Sequence, residues 1–399
     1  MLNAITPTPT DPLWALTGRF KADPRPEKLD LLIGVYRDES GETPVMEAVH
    51  QAEMHWARGR VSKTYPPLAG HETFNQLMSR QLLGTPALIE RAVTQQTVGG
   101  TGALRLLADL IAHLRSDVTI WVSDPGYVNH EPIFRAAGLK VQKFPYRQVG
   151  GDLDVAAMLN GLEGAHQGDV LVLHACCHNP SGIDMPPELW SSLSGLCRKK
   201  GIVPLIDSAY HGLGDGLEAD LAGLRYMAET VGEVLVAASC SKNMGLYSER
   251  VGCATILREK PGAADDVRGV LQGLARRSYS MPPYHGASLA AMVMEDEALR
   301  ESWLLELEEM RLRIVGNRRA LAEAFLNRTN RADLIAVGKQ KGMFSILPLN
   351  TDQMMRLREG FGIYGTDFGR INIAGMSSSD ADRVADAVLA VMSNMEPPG

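Results

Sequence analysis

The sequence predicts an α/β protein: a mostly parallel central sheet in a large domain, with a smaller α/β domain appended. Three observations carry this. Short apolar runs at 118–122, 170–174, 203–206, 234–238 and 251–257 lack the period-two alternation of a sheet with one wet face. Helical patterns lie between those runs, as in strands joined by crossover helices. From about Asp296 the texture changes to a long, charge-laced helical stretch.

The elements follow in order. Pro7, Pro9, Pro12, Pro24 and Pro26 make the start read as an extended arm, of the kind that reaches over a partner subunit. The segment 103–114 is a helix, with apolar residues at 103, 104, 107, 110, 111 and 114. A second helix, 188–200, follows a Pro-Pro pair. The stretch 296–327 carries Leu299, Trp303, Leu304, Leu307, Met310 and Ile314 at helical spacing and leads into a C-terminal lobe ending in a helix over 381–395. The domain reading is 1–40 for the arm and part of the small domain, 41–295 for the large domain, and 296–399 for the C-terminal small domain.

The 399 residues are 45% hydrophobic and 22% charged, as in a soluble globular enzyme. A net charge of −7 gives no basic field for nucleic acid. No run approaches the roughly 18 apolar residues that a membrane span needs, and the first residues show no basic segment with a secretory core. Cys176, Cys177, Cys197, Cys240 and Cys253 have neither zinc nor C-x-x-C spacing and read as reduced thiols of a cytoplasmic protein.

The chemistry centres on Ser239-Cys-Ser241-Lys242-Asn243, which follows the apolar run 234–238. A lysine at the mouth of a buried strand can lose its charge by desolvation and act as a nucleophilic, Schiff-base amine; a lone one equally snorkels into water. Arg250 lies eight residues on, and Asp207 closes another apolar run 35 residues earlier. Strand carboxyl ends are where ligands sit in such sheets, so one site can collect both Asp207 and Lys242. Gly99-Gly100-Thr101-Gly102 before the helix forms either a small-phosphate cradle or a plain turn. Arg105 breaks the dinucleotide fingerprint. In His174-Ala-Cys-Cys-His178-Asn179-Pro180, Asn179 is a candidate amide donor at a strand mouth; metal convergence by the neighbouring histidines and cysteines is disfavoured. Asp207 suits a ring nitrogen kept protonated, with Tyr210 a donor to the same ring; alone it reads as well as a helix cap. Arg370, entering a short apolar strand between glycines, suits a forked grip on a carboxylate, and Arg276 is a second candidate.

In that order and spacing, GGTGALR, HNPSG, DSAY, SKN and ERVG resemble the aspartate and aromatic amino acid aminotransferases, class I pyridoxal-phosphate enzymes of fold type I. The resemblance runs from Asp30 to Met376 and is nearest to bacterial aromatic aminotransferases that also accept aspartate. It implies that Lys242 joins pyridoxal 5'-phosphate covalently and then shuttles a proton, and that Asp207 pairs with the pyridine nitrogen with His130 behind it. Asn179 and Tyr210 would bind the phenolic oxygen. Gly100, Thr101, Ser239, Ser241 and Arg250 would hold the phosphate, with Tyr65 reaching in from a second subunit of a homodimer. Arg370 would grip the substrate α-carboxylate, the partner's Arg276 a side-chain carboxylate, and Gly34 would lie along the substrate.

Two positions depart from the family. Tyr127 stands where a ring-stacking tryptophan is usual, and Met281 where asparagine or serine is common. With Trp14 in the arm, both lean toward aromatic or apolar substrates. The expected reaction is ping-pong transamination between an aromatic amino acid or aspartate and 2-oxoglutarate or oxaloacetate, aromatic donors favoured. The rivals are a predominantly aspartate-specific enzyme, a β-lyase or decarboxylase with the same cofactor, a ligand-sensing regulatory domain and a nicotinamide dehydrogenase.

Overall fold

The computed structural model describes residues 11–262 and 264–393. The chain folds into two compact units. One comprises Pro44–Asn179 and Ile183–Leu312; the other draws on Met1–Thr43, Pro180–Gly182 and Arg313–Gly399.

The larger unit is built on a seven-stranded sheet. Its spatial order is Ala92–Val98, Val251–Leu257, Val234–Ser239, Val203–Ser208, Val170–His174, Thr119–Asp124, Lys140–Pro145. Only Val251–Leu257 runs antiparallel to its neighbours. The three middle runs read from the sequence appear where expected, Val203 and Val234 each opening a strand one or two residues longer than predicted. All six residues of Val234–Ser239 are buried, which explains the missing alternation: helices cover both faces. Burial of each such Val or Leu contributes about 1.5–3 kcal/mol, so the strand is anchored along its whole length. Thr119–Asp124 and Val170–His174 pair only through Ile120↔Val170 and Trp121↔Leu171, and no further pairing joins them toward their carboxyl ends.

The helix after the first strand spans Gly99–Leu114, four residues earlier than its apolar pattern alone predicts. The glycines are its first turn. Gly99 has φ +66°, and a Cβ there would lie 2.5 Å from Arg250 Nη2, so only glycine lets the helix begin against that guanidinium.

The smaller unit has two short pairings, Leu29–Asp30 with Ile363–Tyr364 and Phe344–Ile346 with Arg370–Asn372. Its core gathers Leu31, Phe325, Leu357, Ile371 and Val388 under Thr351–Phe361 and Ala381–Met392. The second of these helices runs to Met392; positions 394 and 395 of its predicted span, like 396–399, lie outside the described residues. The long helix is Glu297–Leu326. The extended-arm reading needs a correction where the chain is described: Pro12–Ala22 is helical. Pro12 takes the first helical position, where its missing N–H costs nothing, and Asp11 Oδ1 accepts from Leu13 N (2.9 Å) and Trp14 N (3.3 Å). Pro7 and Pro9 lie outside the described residues. Among the described residues no helix is long and apolar enough to cross a membrane.

Candidate active site

A cavity of about 140 Å³ opens in the larger unit at the carboxyl ends of the parallel strands. Gly100, Thr101, Ser239, Ser241 and Arg250 line one side of it. Tyr127, Asn179, Asp207, Tyr210 and Lys242 line the rest. These residues come from five chain segments: Gly100 and Thr101 open the helix Gly99–Leu114, Arg250 directly precedes a strand, and the rest lie at strand ends or in the loops that follow them.

On the first side Ser239 Oγ donates to Ser241 Oγ (3.0 Å), and Ser241 N donates back to Ser239 Oγ (3.1 Å). Arg250 Nη1 donates to Ser241 Oγ (3.4 Å) and Tyr247 O (3.0 Å). Arg250 has φ +55°, a left-handed conformation that costs a side-chain-bearing residue about 1–2 kcal/mol. Its carbonyl accepts from Gly99 N (2.8 Å), which locks that turn to the helix start. A guanidinium, two hydroxyls and the open N–H groups of a 16-residue helix therefore meet at one spot, an arrangement that holds a small anion.

At the floor, Asp207 and His130 are both buried, and His130 Nε2 donates to Asp207 Oδ2 at 2.9 Å. Burial, the largest single influence, pushes the Asp207 carboxyl up. The His130 hydrogen bond, with smaller electrostatic contributions from His130, His174 and Lys242, outweighs it and holds Asp207 below its ordinary value. Behind His130 lie two more buried histidines: His174, 5.2 Å from it ring to ring, and His178, 4.5 Å further on. Burial drives His174 down to about 3 and His178 well below its ordinary value, so both are neutral. Asp207 is thus an anion backed by a layer of three buried histidines, of which His174 and His178 are neutral.

Asn179 Nδ2 donates to the Tyr210 hydroxyl at 3.2 Å. Lys242 Nζ lies over the Tyr210 ring, 4.9 Å from its centroid. The lysine surface is only partly covered, as fits a side chain lining a cavity, yet protein surrounds it deeply enough that desolvation brings its pKa down to about 8. Asp207 opposes that shift and Arg250 adds to it. The turn carrying Lys242 is clamped through its neighbour: Asn243 Nδ2 donates to His211 Nε2 (2.7 Å), and Trp303 Nε1 donates to Asn243 O (2.6 Å). Neutral His211, held down to about 4 by burial, is the form that can accept there.

Not every predicted residue lines this cavity. Tyr65 is 86% exposed, and Arg276 is exposed on the helix Ala264–Ser278. Gly34 and Arg370 belong to the smaller unit. There Arg370 Nη2 donates to Leu32 O (2.8 Å), and its guanidinium lies over the Phe344 ring at 4.5 Å. Sequence reasoning assigned no role to His174 at the site or to His211. Their positions at strand ends were the available signal, but histidine there is also ordinary packing.

The cysteines are all free and buried. Cys176, Cys177 and Asp220 bring ligand atoms within 4.8 Å of one another, as do His130, His174 and Asp207. Asp220, however, already accepts from three backbone N–H groups, those of Gly212, Gly214 and Asp215. The neighbouring Cys177 thiol and, after it, desolvation keep Cys176 far from the thiolate that a metal requires.

Chemically, the cavity offers an anion cradle, an amine that sheds its proton near neutrality, a carboxylate to keep a ring nitrogen protonated, and two donors for an oxygen between them. A family model described as aminotransferase class I and II matches residues 26–388. The chain is 44% identical over 386 residues to a tyrosine aminotransferase of Rhizobium meliloti (strain 1021), covering 96% of this chain and 98% of that one. It is 41% identical to an aspartate aminotransferase of Escherichia coli (strain K12), covering 98% and 100%. The solved aromatic-amino-acid aminotransferase of Burkholderia pseudomallei, covalently bound to pyridoxal phosphate, is similar at a TM-score of 0.94 and 38% identity, covering 98% and 99%.

Proposed function

The chain belongs to the aminotransferase class I and II family, and we propose that it moves an amino group by a ping-pong route between an aromatic amino acid or aspartate and 2-oxoglutarate or oxaloacetate, aromatic donors favoured. The observation that carries this is Lys242, an amine with a pKa near 8, in one cavity with the buried anion Asp207.

Pyridoxal 5'-phosphate is the cofactor, and the residues present fit it. The cradle of Gly100, Thr101, Ser239, Ser241 and Arg250 suits its phosphate, and a Cβ at Gly100 would crowd Ser239 at 3.2 Å. Asp207 suits its ring nitrogen, Asn179 and Tyr210 its phenolic oxygen, Tyr127 the face of its ring, and Lys242 its aldehyde. When bound, the cofactor supplies an electron sink for the pair released as the substrate Cα–H bond breaks.

The protein's own part is positioning and proton transfer. Asp207, kept ionised by His130, holds the proton on the ring nitrogen that makes the sink effective. Lys242 Nζ, partly deprotonated near neutrality, takes the α-proton and hands it on within the cavity. Asn179 Nδ2 and the Tyr210 hydroxyl fix the ring plane. Arg370 grips the α-carboxylate and so orients the Cα–H bond. Gly34 lies along the substrate and leaves it room.

Exposed Tyr65 and Arg276 support a homodimer with shared sites, in which Tyr65 reaches the neighbour's phosphate and Arg276 a dicarboxylate side chain. The arm–partner contact is part of the same proposal. The domain boundaries near 40 and 296 and a cytoplasmic setting, in which the five buried thiols stay reduced, complete it. Tyr127 and Met281 in place of larger or polar groups favour aromatic donors over aspartate.

The test is Lys242→Ala. Turnover should fall by about 10³-fold or more, and the visible absorbance that the cofactor gains on joining the lysine should vanish. A variant that keeps both would overturn the mechanism.

A further inference from the structure

Arg370 does not stand alone at its end of the strand Arg370–Asn372. Two residues on and on the same face, Asn372 Nδ2 donates to Ile33 O (2.7 Å) and Val35 O (2.8 Å), while Arg370 Nη2 donates to Leu32 O (2.8 Å). The two side chains thus stitch the segment from Leu32 to Val35 down along one strand. Gly34 sits in the middle of that segment. A Cβ built on Gly34 would meet Phe344 Cζ at 2.5 Å, closer than packed carbons approach, so the Phe344 ring occupies the space that the missing side chain leaves.

The same ring faces the guanidinium of Arg370, with Cζ 4.5 Å from the ring centroid. Phe344 in turn has a fixed backbone. It pairs with Asn372 across the antiparallel ladder, and buried Arg318 donates to its carbonyl (2.6 Å) and to Ser345 Oγ (2.8 Å). A rigid strand therefore presents an aromatic ring whose Cζ edge abuts the glycine segment and whose face is covered by the arginine.

We propose that Phe344 is the positioning residue for Arg370: seated in the gap left by Gly34, its ring sets the plane in which the guanidinium meets a carboxylate. This rests on the reading of Arg370 as the carboxylate grip. The role of Gly34 is then to hold that ring in place as well as to leave the substrate room. A planar fork needs its plane fixed to make two parallel hydrogen bonds, and a flat aromatic face restricts the plane as an aliphatic side chain does not.

The experiment uses the holoenzyme and 3-phenylpropionate, which carries a carboxylate but no amine to react, with its uncharged amide as control. Calorimetry gives both dissociation constants. In Phe344→Leu the acid should bind about tenfold more weakly and the amide unchanged. KM for phenylalanine should rise by a similar factor while kcat stays within about twofold. Gly34→Ala, which pushes on the ring without changing Arg370 itself, should also weaken the acid more than the amide, and it serves if Phe344→Leu fails to fold. Combined, the two changes should cost no more than either alone.

Arg370→Ala separates the two layers. If it leaves the acid-over-amide preference intact, the reading of Arg370 as the grip fails. If it abolishes the preference while Phe344→Leu and Gly34→Ala leave acid binding within about twofold, the role of Phe344 is overturned and Arg370 keeps its own. Equal weakening of acid and amide in the Phe344 and Gly34 variants would also overturn it, since that marks lost shape rather than a misdirected guanidinium.

Discussion

His130 Nε2 and Asp207 Oδ2 lie 2.9 Å apart with both side chains buried, and this contact sets the electrostatics of the cavity. An aspartate so buried would favour its neutral form without a donor. With His130 it stays an anion, and it also holds the neighbouring lysine above where burial alone would put it.

His130→Leu should therefore raise the Asp207 pKa and weaken the ring-nitrogen contact. We expect kcat/KM to fall by about 10–100-fold, with the pH profile moved toward higher pH on its acid limb. A cofactor absorbance maximum shifted from that of the wild type would report the same change without turnover.

In cofactor-free protein, covalent capture of pyridoxal 5'-phosphate should follow deprotonation of Lys242. Its rate should rise through about pH 8, well below the ordinary lysine value of 10.5. Asp207→Asn removes the charge that opposes the shift, so the midpoint should move lower still. A midpoint unmoved from the ordinary lysine value would contradict the placement of Lys242.

The same depressed pKa has a stability sign. Between about pH 8 and 10.5 the unfolded chain binds more protons at Lys242 than the folded chain, so this residue's destabilising effect is full below pH 8 and fades as pH rises. Lys242→Met should stabilise the cofactor-free protein at pH 7 by on the order of 2 kcal/mol, read from the urea midpoint.

His174 and His211 work in the acid range. Their folded pKa values of about 3 and 4 lie under an unfolded value near 6.5, so the unfolded state gains protons first as pH falls. Each should remove about 1.4 kcal/mol of stability per pH unit between roughly pH 6 and 4. His211→Gln should flatten that slope measurably in urea melts run at neutral pH and at successively more acid values down to about pH 5.

The shared-site proposal has a direct complementation test. Arg276→Ala should cut kcat/KM for aspartate by about 10–100-fold and for phenylalanine far less. Mixing Arg276→Ala chains with Lys242→Ala chains should restore aspartate turnover, because a hybrid dimer then holds one site with both residues. No restoration would mean that each site draws on a single chain.

The strand runs and their ends were legible because burial on both faces leaves an unbroken apolar signature, and Asp207 and Lys242 stand out where such runs stop. Gly99 and Gly100 were legible as a cradle, though not as the first turn of the helix; that depended on Arg250, 150 residues away from Gly100 in the chain. The arm was misread at Pro12–Ala22 because proline serves equally as an extended residue and as a first helical one, and the capping bonds of Asp11 decide between them. Nothing local to Phe344 distinguishes it from an ordinary core aromatic.

Lys242 was recognisable from sequence alone, since an amine beside a buried strand raises the question of its charge by local chemistry. That question was answered by groups far off in the chain: His130 sustaining Asp207, and His211 with Trp303 holding the Lys242 turn. Composition and periodicity determined which residues lie at strand ends, because those depend on short-range burial. Which partners they meet was decided only by tertiary structure, because proton affinity depends on distances of a few ångströms between segments that the sequence leaves apart.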